Sequence, residues 1–224
     1  YFIEGDLIEM ITVKVLQDNI PEVNEEYQIQ LINVKTTGIG STGAAIINPQ
    51  FQTASITIEG SNDPHGVVQF ATNSLNVRVD EGNRTVNIQV DRKFGAIGTV
   101  RVEYEVVSGA ISVLSGDLVL ATPNQDFVAL KSYIDLGDGI VAGTISVQIL
   151  DDNIPEVDEV FTVRLTLVSL LTDGSPPPRL ASNGTVSQVI INANDGTKGI
   201  VKFAPDSAVV AVDEVSKIIS LTVL

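Results

Sequence analysis

The chain contains no cysteine and no tryptophan, a single histidine and a single methionine. Without cysteine there is no disulfide, no thiolate zinc site and no cysteine nucleophile. Aromatic residues make up 5% of the 224 residues, which leaves few rings to stack a sugar or a base. Basic residues are scarce as well: 13 Lys and Arg stand against 28 Asp and Glu, a net charge of −15. A surface of that sign repels nucleic-acid phosphates and anionic lipid, so neither is expected as a partner. No apolar run approaches the roughly 18 residues of a spanning helix, so no membrane insertion is expected in this segment.

What the chain does contain is repetition. The phrase VKVLQDNIPEVNEEYQIQLINV at Val13 returns as VQILDDNIPEVDEVFTVRLTLV at Val147, 134 residues on. The phrase VVQFATNSLNVRVDE at Val67 returns as IVKFAPDSAVVAVDE at Ile200, 133 residues on. Two unrelated phrases at nearly one spacing define a repeated unit of about 130 residues. Solenoid units are far shorter, so this unit is a domain in its own right. The expected organisation is a tandem array. Residues 1–63 form the C-terminal part of one repeat, 64–195 a complete repeat, and 196–224 the N-terminal part of the next.

Within the complete repeat, apolar and polar residues alternate with period two. Leu75, Val77 and Val79 form one such set. Others are Val86, Ile88 and Val90; Val100, Val102 and Tyr104; Ile145, Val147 and Ile149; and Phe161, Val163, Leu165 and Leu167. Such alternation marks half-buried antiparallel strands, and Gly, Asn, Asp and Pro punctuate the gaps. No segment has a convincing helical period. About seven short strands per repeat predict an all-β fold, a seven-stranded immunoglobulin-like antiparallel β-sandwich repeated in tandem.

The richest chemistry is Asp151-Asp152-Asn153-Ile154-Pro155-Glu156-Val157-Asp158-Glu159, between two strand patterns. Pro155 blocks strand pairing and helical geometry there, so this is a turn at one end of the sandwich. Its crowded carboxylates repel one another unless a cation sits among them. Hard oxygen ligands in an irregular loop suit calcium. Zinc prefers His or Cys, and only His65 is present. A solvated acidic turn is the plainer alternative.

This phrase, with the strand that follows it, resembles the signature of the Calx-β repeat, found in sodium–calcium exchangers and in very large cell-surface proteins. Val79-Asp80-Glu81-Gly82 is similar to the family's opening V-x-E-G, and Asn124-Gln125-Asp126-Phe127 to its mid-domain G-x-D-[FY]. Asn194-Asp195-Gly196 stands where the family closes. The resemblance implies immunoglobulin-like sandwiches that bind several calcium ions at the end facing the next repeat. By position it implies Glu81, Asp126, Asp151, Asp152, Glu156, Glu159 and Asp195 as carboxylate ligands, with the backbone carbonyl of Ile154. That set is too large for one ion, so at least two Ca2+ are expected. Asp80 and Asp158 read as solvated neighbours. Asn124 replaces the usual glycine and tolerates positive φ. In the first repeat Gln17 stands where the complete repeat has Asp151, while Asp18, Glu22, Glu25 and Asp63 are kept, so a weaker site is expected.

Asn83-Arg84-Thr85 and Asn183-Gly184-Thr185 fit the N-glycosylation acceptor pattern at polar turns, which favours an extracellular location. Two roles remain open. One is a calcium-stiffened spacer and adhesion array of a large cell-surface receptor, with neighbouring repeats and other cell-surface or matrix proteins as partners. The other is a cytosolic calcium-sensor module regulating a transporter such as a sodium–calcium exchanger. The sequons and the array favour the first. Paired carboxylates can run glycoside hydrolysis, but the missing tryptophan and the repeated acids argue against an enzyme. His65, in Asn62-Asp63-Pro64-His65-Gly66, reads as a solvent-facing linker residue. Asp173 to Arg179 carries three prolines, which favour polyproline II and suit an SH3-type ligand or, more plainly, a stiff loop. The matching segment 36–49 of the first repeat lacks those three prolines, so the motif reads as decoration.

Overall fold

The computed structural model describes residues 1–37, 43–111, 118–152, 154–193, 199, 201–214 and 218–224. In the first repeat, β1 (Glu25–Gln30) pairs antiparallel with β2 (Thr53–Ile58). The next ten strands build a sandwich. They are β3 (Val67–Phe70), β4 (Asn76–Asp80), β5 (Arg84–Lys93), β6 (Val100–Ser108) and β7 (Val119–Leu120). After them come β8 (Leu130–Leu136), β9 (Ala142–Ile149), β10 (Glu159–Leu170), β11 (Arg179–Leu180) and β12 (Val186–Asn192).

One sheet runs β4-β12-β10-β6-β8 with β7 beside β10, and the other runs β11-β3-β5-β9. A 3-10 turn at Thr72–Ser74 lets one edge strand leave the second sheet as β3 and join the first as β4. Counted as one strand, with the two-residue β7 and β11 set aside, β3 and β4 bring the main strands to the expected seven. The chain is an all-β sandwich of immunoglobulin-like type. The first repeat keeps the register of the second: Glu25 pairs with Ile58 as Glu159 pairs with Ile191.

The alternation becomes burial. Val86, Ile88, Val90, Val100, Val102, Tyr104, Ile145, Val147, Ile149, Phe161, Val163 and Leu165 all lie in one core between the sheets. β10 departs from the pattern in two places. The pairing of β10 with β6 shifts between Leu165 and Leu167, so Leu167 turns out to 50% exposure and Val168 turns in. An extra residue in one strand flips the faces beyond it. Thr162, expected to face solvent, is fully buried, with its hydroxyl directed at the Val107 carbonyl. The segment carrying Ala121 covers that face through the bond from Ala121 N to Val160 O.

His65 is not at the surface. It is 4% exposed, and its Nδ1 lies 2.8 Å from the Ile97 carbonyl oxygen. Arg92, also buried, donates to the carbonyls of His65, Gly137 and Ile97. The backbone N–H groups of Gly95 and Ile97 donate to the Asp63 and Pro64 carbonyls. A Cβ at Gly95 would run into those carbonyl oxygens, so only glycine allows the approach. The linker is therefore folded into the base of the sandwich, which polar composition alone does not reveal.

Candidate metal centre

The acids converge because strand ends do. β4 and β12 run parallel and finish side by side, with Asp80 opposite Asn192. β10 starts at that same end, where Glu159 pairs with Ile191. The Pro123–Phe127 turn joins the end of β9 through an antiparallel bridge from Phe127 to Ile149 and a bond from Leu150 N to Asp126 O. Asn124 takes φ of 62° in that turn, and its Oδ1 accepts from Ala129 N. This conformation is one that Asn, unlike most residues, adopts readily.

Two trios of carboxylates result. Glu81, Asp152 and Glu156 each bring an oxygen within 4.8 Å of the others, and so do Asp126, Glu156 and Glu159. Glu156 belongs to both. Asp152 N donates to Glu81 Oε1 at 3.2 Å, and Ile154 N donates to Asp152 Oδ1 at 2.6 Å. Asp126 is 4% exposed, and one of its oxygens accepts from Thr122 N. Glu159 is 8% exposed, and its buried Oε2 has no hydrogen-bond partner among the described residues. Among the described residues, no lysine or arginine bridges Asp126, Asp152 or Glu159.

Burial, then the adjacent Asp126 carboxyl, then the charges of Glu156 and Glu81 push the Glu159 carboxyl up to about 8. Its ordinary value is 4.5. The folded state therefore binds this proton more tightly than the unfolded state. The stability this proton gives is full below about pH 4.5 and is lost as pH rises through about 8. Carboxylates held low by partners, such as Asp158 and Asp135, act below this window. In chelator, stability should fall as pH rises from 5 to 8. Glu159→Gln should flatten that slope, as read from urea unfolding at a series of pH values.

Glu81, Asp126, Asp152, Glu156 and Glu159 are thus brought together. Asp151 is exposed and belongs to neither trio, and the Ile154 side chain is 60% exposed. Asp195 lies outside the described residues. Asp80 is exposed and accepts from Asn192 Nδ2. Asp158 is not a free solvated acid. It accepts from Ala193 N and from Arg78 Nη1, each at 2.9 Å, and those bonds hold its carboxyl below the usual range. Its partners come from β4 and the end of β12, too far along the chain for spacing to reveal. Asn83 and Asn183 are both exposed in bends.

In the first repeat, Asp18, Glu22 and Glu25 line one cleft of about 300 Å³. Ile20 N donates to Asp18 Oδ1 at 2.7 Å, the same turn that Asp152 makes with Ile154. Among the described residues, no three acids there come within the 4.8 Å that joins the trios. Asp63 is drawn elsewhere, into a two-point pair with Arg179.

The Calx-beta domain model matches residues 1–62 and 61–195. The chain is 40% identical over 202 residues to Adhesion G-protein coupled receptor V1 of Danio rerio, covering 90% of this chain and 3% of that protein. It is 24% identical over 206 residues to Sodium/calcium exchanger 2 of Homo sapiens, covering 88% of this chain and 20% of that protein. The crystal structure of the Calx CBD2 domain aligns with a TM-score of 0.49 at 20% identity, over 61% of this chain and 92% of that one. The chain therefore spans a small fraction of both of these relatives.

Proposed function

The chain belongs to the Calx-beta family, and we propose that its complete repeat, residues 64–195, binds calcium at the acidic end of the sandwich. The single observation that carries this reading is the pair of carboxylate trios hinged on Glu156, two of whose members, Asp126 and Glu159, are buried. Buried like charges destabilise a fold unless a cation or protons neutralise them. An all-oxygen donor set fits calcium, which takes six to eight oxygens in adaptable geometry. Two ions share Glu156, one with Glu81 and Asp152, the other with Asp126 and Glu159. Asp151, the Ile154 carbonyl and Asp195 supply further oxygens. Because Asp195 stands next to the linker that follows, calcium would tie that linker to the body of the repeat and stiffen the junction. The first repeat, 1–63, binds more weakly through Asp18, Glu22 and Glu25; residues 196–224 open a third repeat.

The role is that of a spacer and adhesion module in the extracellular part of a large cell-surface receptor. The greater similarity to the adhesion receptor than to the exchanger supports this over a transporter's sensor. The exposed sequons support it as well. Affinity separates the two roles, since sensors bind near micromolar and extracellular modules near 0.1–1 mM. Calcium should raise the melting temperature, because a ligand of the native state stabilises it by mass action. Magnesium should raise it less, since it demands compact octahedral geometry. An unchanged melting curve up to about 10 mM calcium, beyond the weak end of known sites, would sink the assignment.

A further inference from the structure

The proline loop does not hang free. Arg179, at its end, places Nε 2.8 Å from Asp63 Oδ1 and Nη2 2.8 Å from Asp63 Oδ2. Both carboxylate oxygens of Asp63 are thus engaged by one planar guanidinium, the strongest geometry for such a pair. Earlier in the same loop, Pro176 lies against Gly60, where even a Cβ would strike the Pro176 ring and the Ser175 carbonyl. The neighbouring Asn62 turns back onto the first repeat. Its Nδ2 donates to the carbonyls of Ile20 at 3.0 Å and Asp18 at 3.2 Å.

Asn62-Asp63 in the first repeat corresponds to Asn194-Asp195 in the second, and Ile20 to Ile154, by the spacing of the repeats. At the first junction, then, the linker acid has a guanidinium on both oxygens, and the loop carbonyl has an amide N–H. Those are the positions at which an incoming cation would need free oxygens. Gln17, at the position of Asp151, removes one more charge. The linker beyond Asp63 is held by backbone bonds to Gly95 and Ile97.

We infer that the junction between the first and second repeats is closed by protein donors without a cation, with Arg179 on the proline loop as its clamp. The loop that reads as decoration is a docking element whose partner is the preceding repeat of the same chain. This inference does not depend on calcium binding by the complete repeat. It implies an array with two kinds of joint: those carrying an arginine-bearing proline loop, rigid in chelator, and those closed by metal.

The absence of native cysteine makes spin labelling specific. Labels at Gln28→Cys and Ser132→Cys, both exposed positions, span the first junction in the full 224-residue chain. Electron–electron double resonance should give a single narrow distance in EDTA, unchanged by calcium. Arg179→Met should broaden that distance, and so should Asp63→Asn, which lies outside the sandwich strands. The double variant should be no broader than either single one, because both remove the same contact. Arg179→Lys should fall between, keeping the charge but losing the two-point fork. A label pair within the sandwich, at Thr72→Cys and Ser132→Cys, should keep its distance throughout. A narrow distance that survives both Arg179→Met and Asp63→Asn would overturn the clamp. So would a parent chain that is broad in EDTA and narrows only with calcium.

Discussion

Phe127→Ala is expected to cost about 3–5 kcal/mol of unfolding free energy, the usual range for emptying a buried aromatic site. Phe127 is 0% exposed and stacks on Phe161, with ring centroids 4.3 Å apart and planes 10° from parallel. The two rings anchor the acids beside them. Asp126 directly precedes one, and Glu159 lies two residues before the other. The variant should therefore lose calcium-induced stabilisation along with part of its core. Chemical denaturation in chelator reads the loss of core, and the same experiment in calcium reads the lost calcium stabilisation. A cost below about 1 kcal/mol would mean that the ring does not fill the site as described.

Glu156→Gln is expected to erase the calcium-induced stabilisation while leaving the apo fold intact. Glu156 is the carboxylate common to both trios, so its loss weakens both ion positions together. At calcium 100-fold above Kd, each occupied site adds about 2.7 kcal/mol, so the difference is large. Asp152→Asn touches only one trio and should leave part of the effect. Asp18→Asn should do less still, because the first repeat forms no trio among the described residues. A Glu156→Gln chain that melts as the parent does, with and without calcium, would remove Glu156 from the site.

Much of this architecture was legible in the sequence because burial on one face leaves a period-two record. Val86, Ile88 and Val90 face inward as their spacing requires. The record fails where a strand is locally irregular, as at Leu167 beyond the bulge, or covered on both faces, as at Thr162. It also fails where polar residues are buried by specific bonds. His65 and Arg92 look like surface residues by type, yet they hold the linker through carbonyl oxygens. The acids of the candidate site were legible as a phrase, and Asp126 and Glu81 only through their resemblance to a family pattern. That Glu156 serves both trios could not be read from spacing, because Glu81 and Asp126 arrive from distant turns. The Arg179–Asp63 pair spans 116 residues and left no local signal.

Calorimetric titration of the 224-residue chain with calcium tests the central claim most directly, with Glu156→Gln as the reference. At neutral pH the parent should take up at least two ions more than the variant. Heats that vary with the buffer would report release of the Glu159 proton, since that carboxyl is held up to about 8 before the metal arrives. No binding heat up to about 10 mM calcium, or identical titrations of parent and Glu156→Gln, would contradict a calcium centre hinged on Glu156.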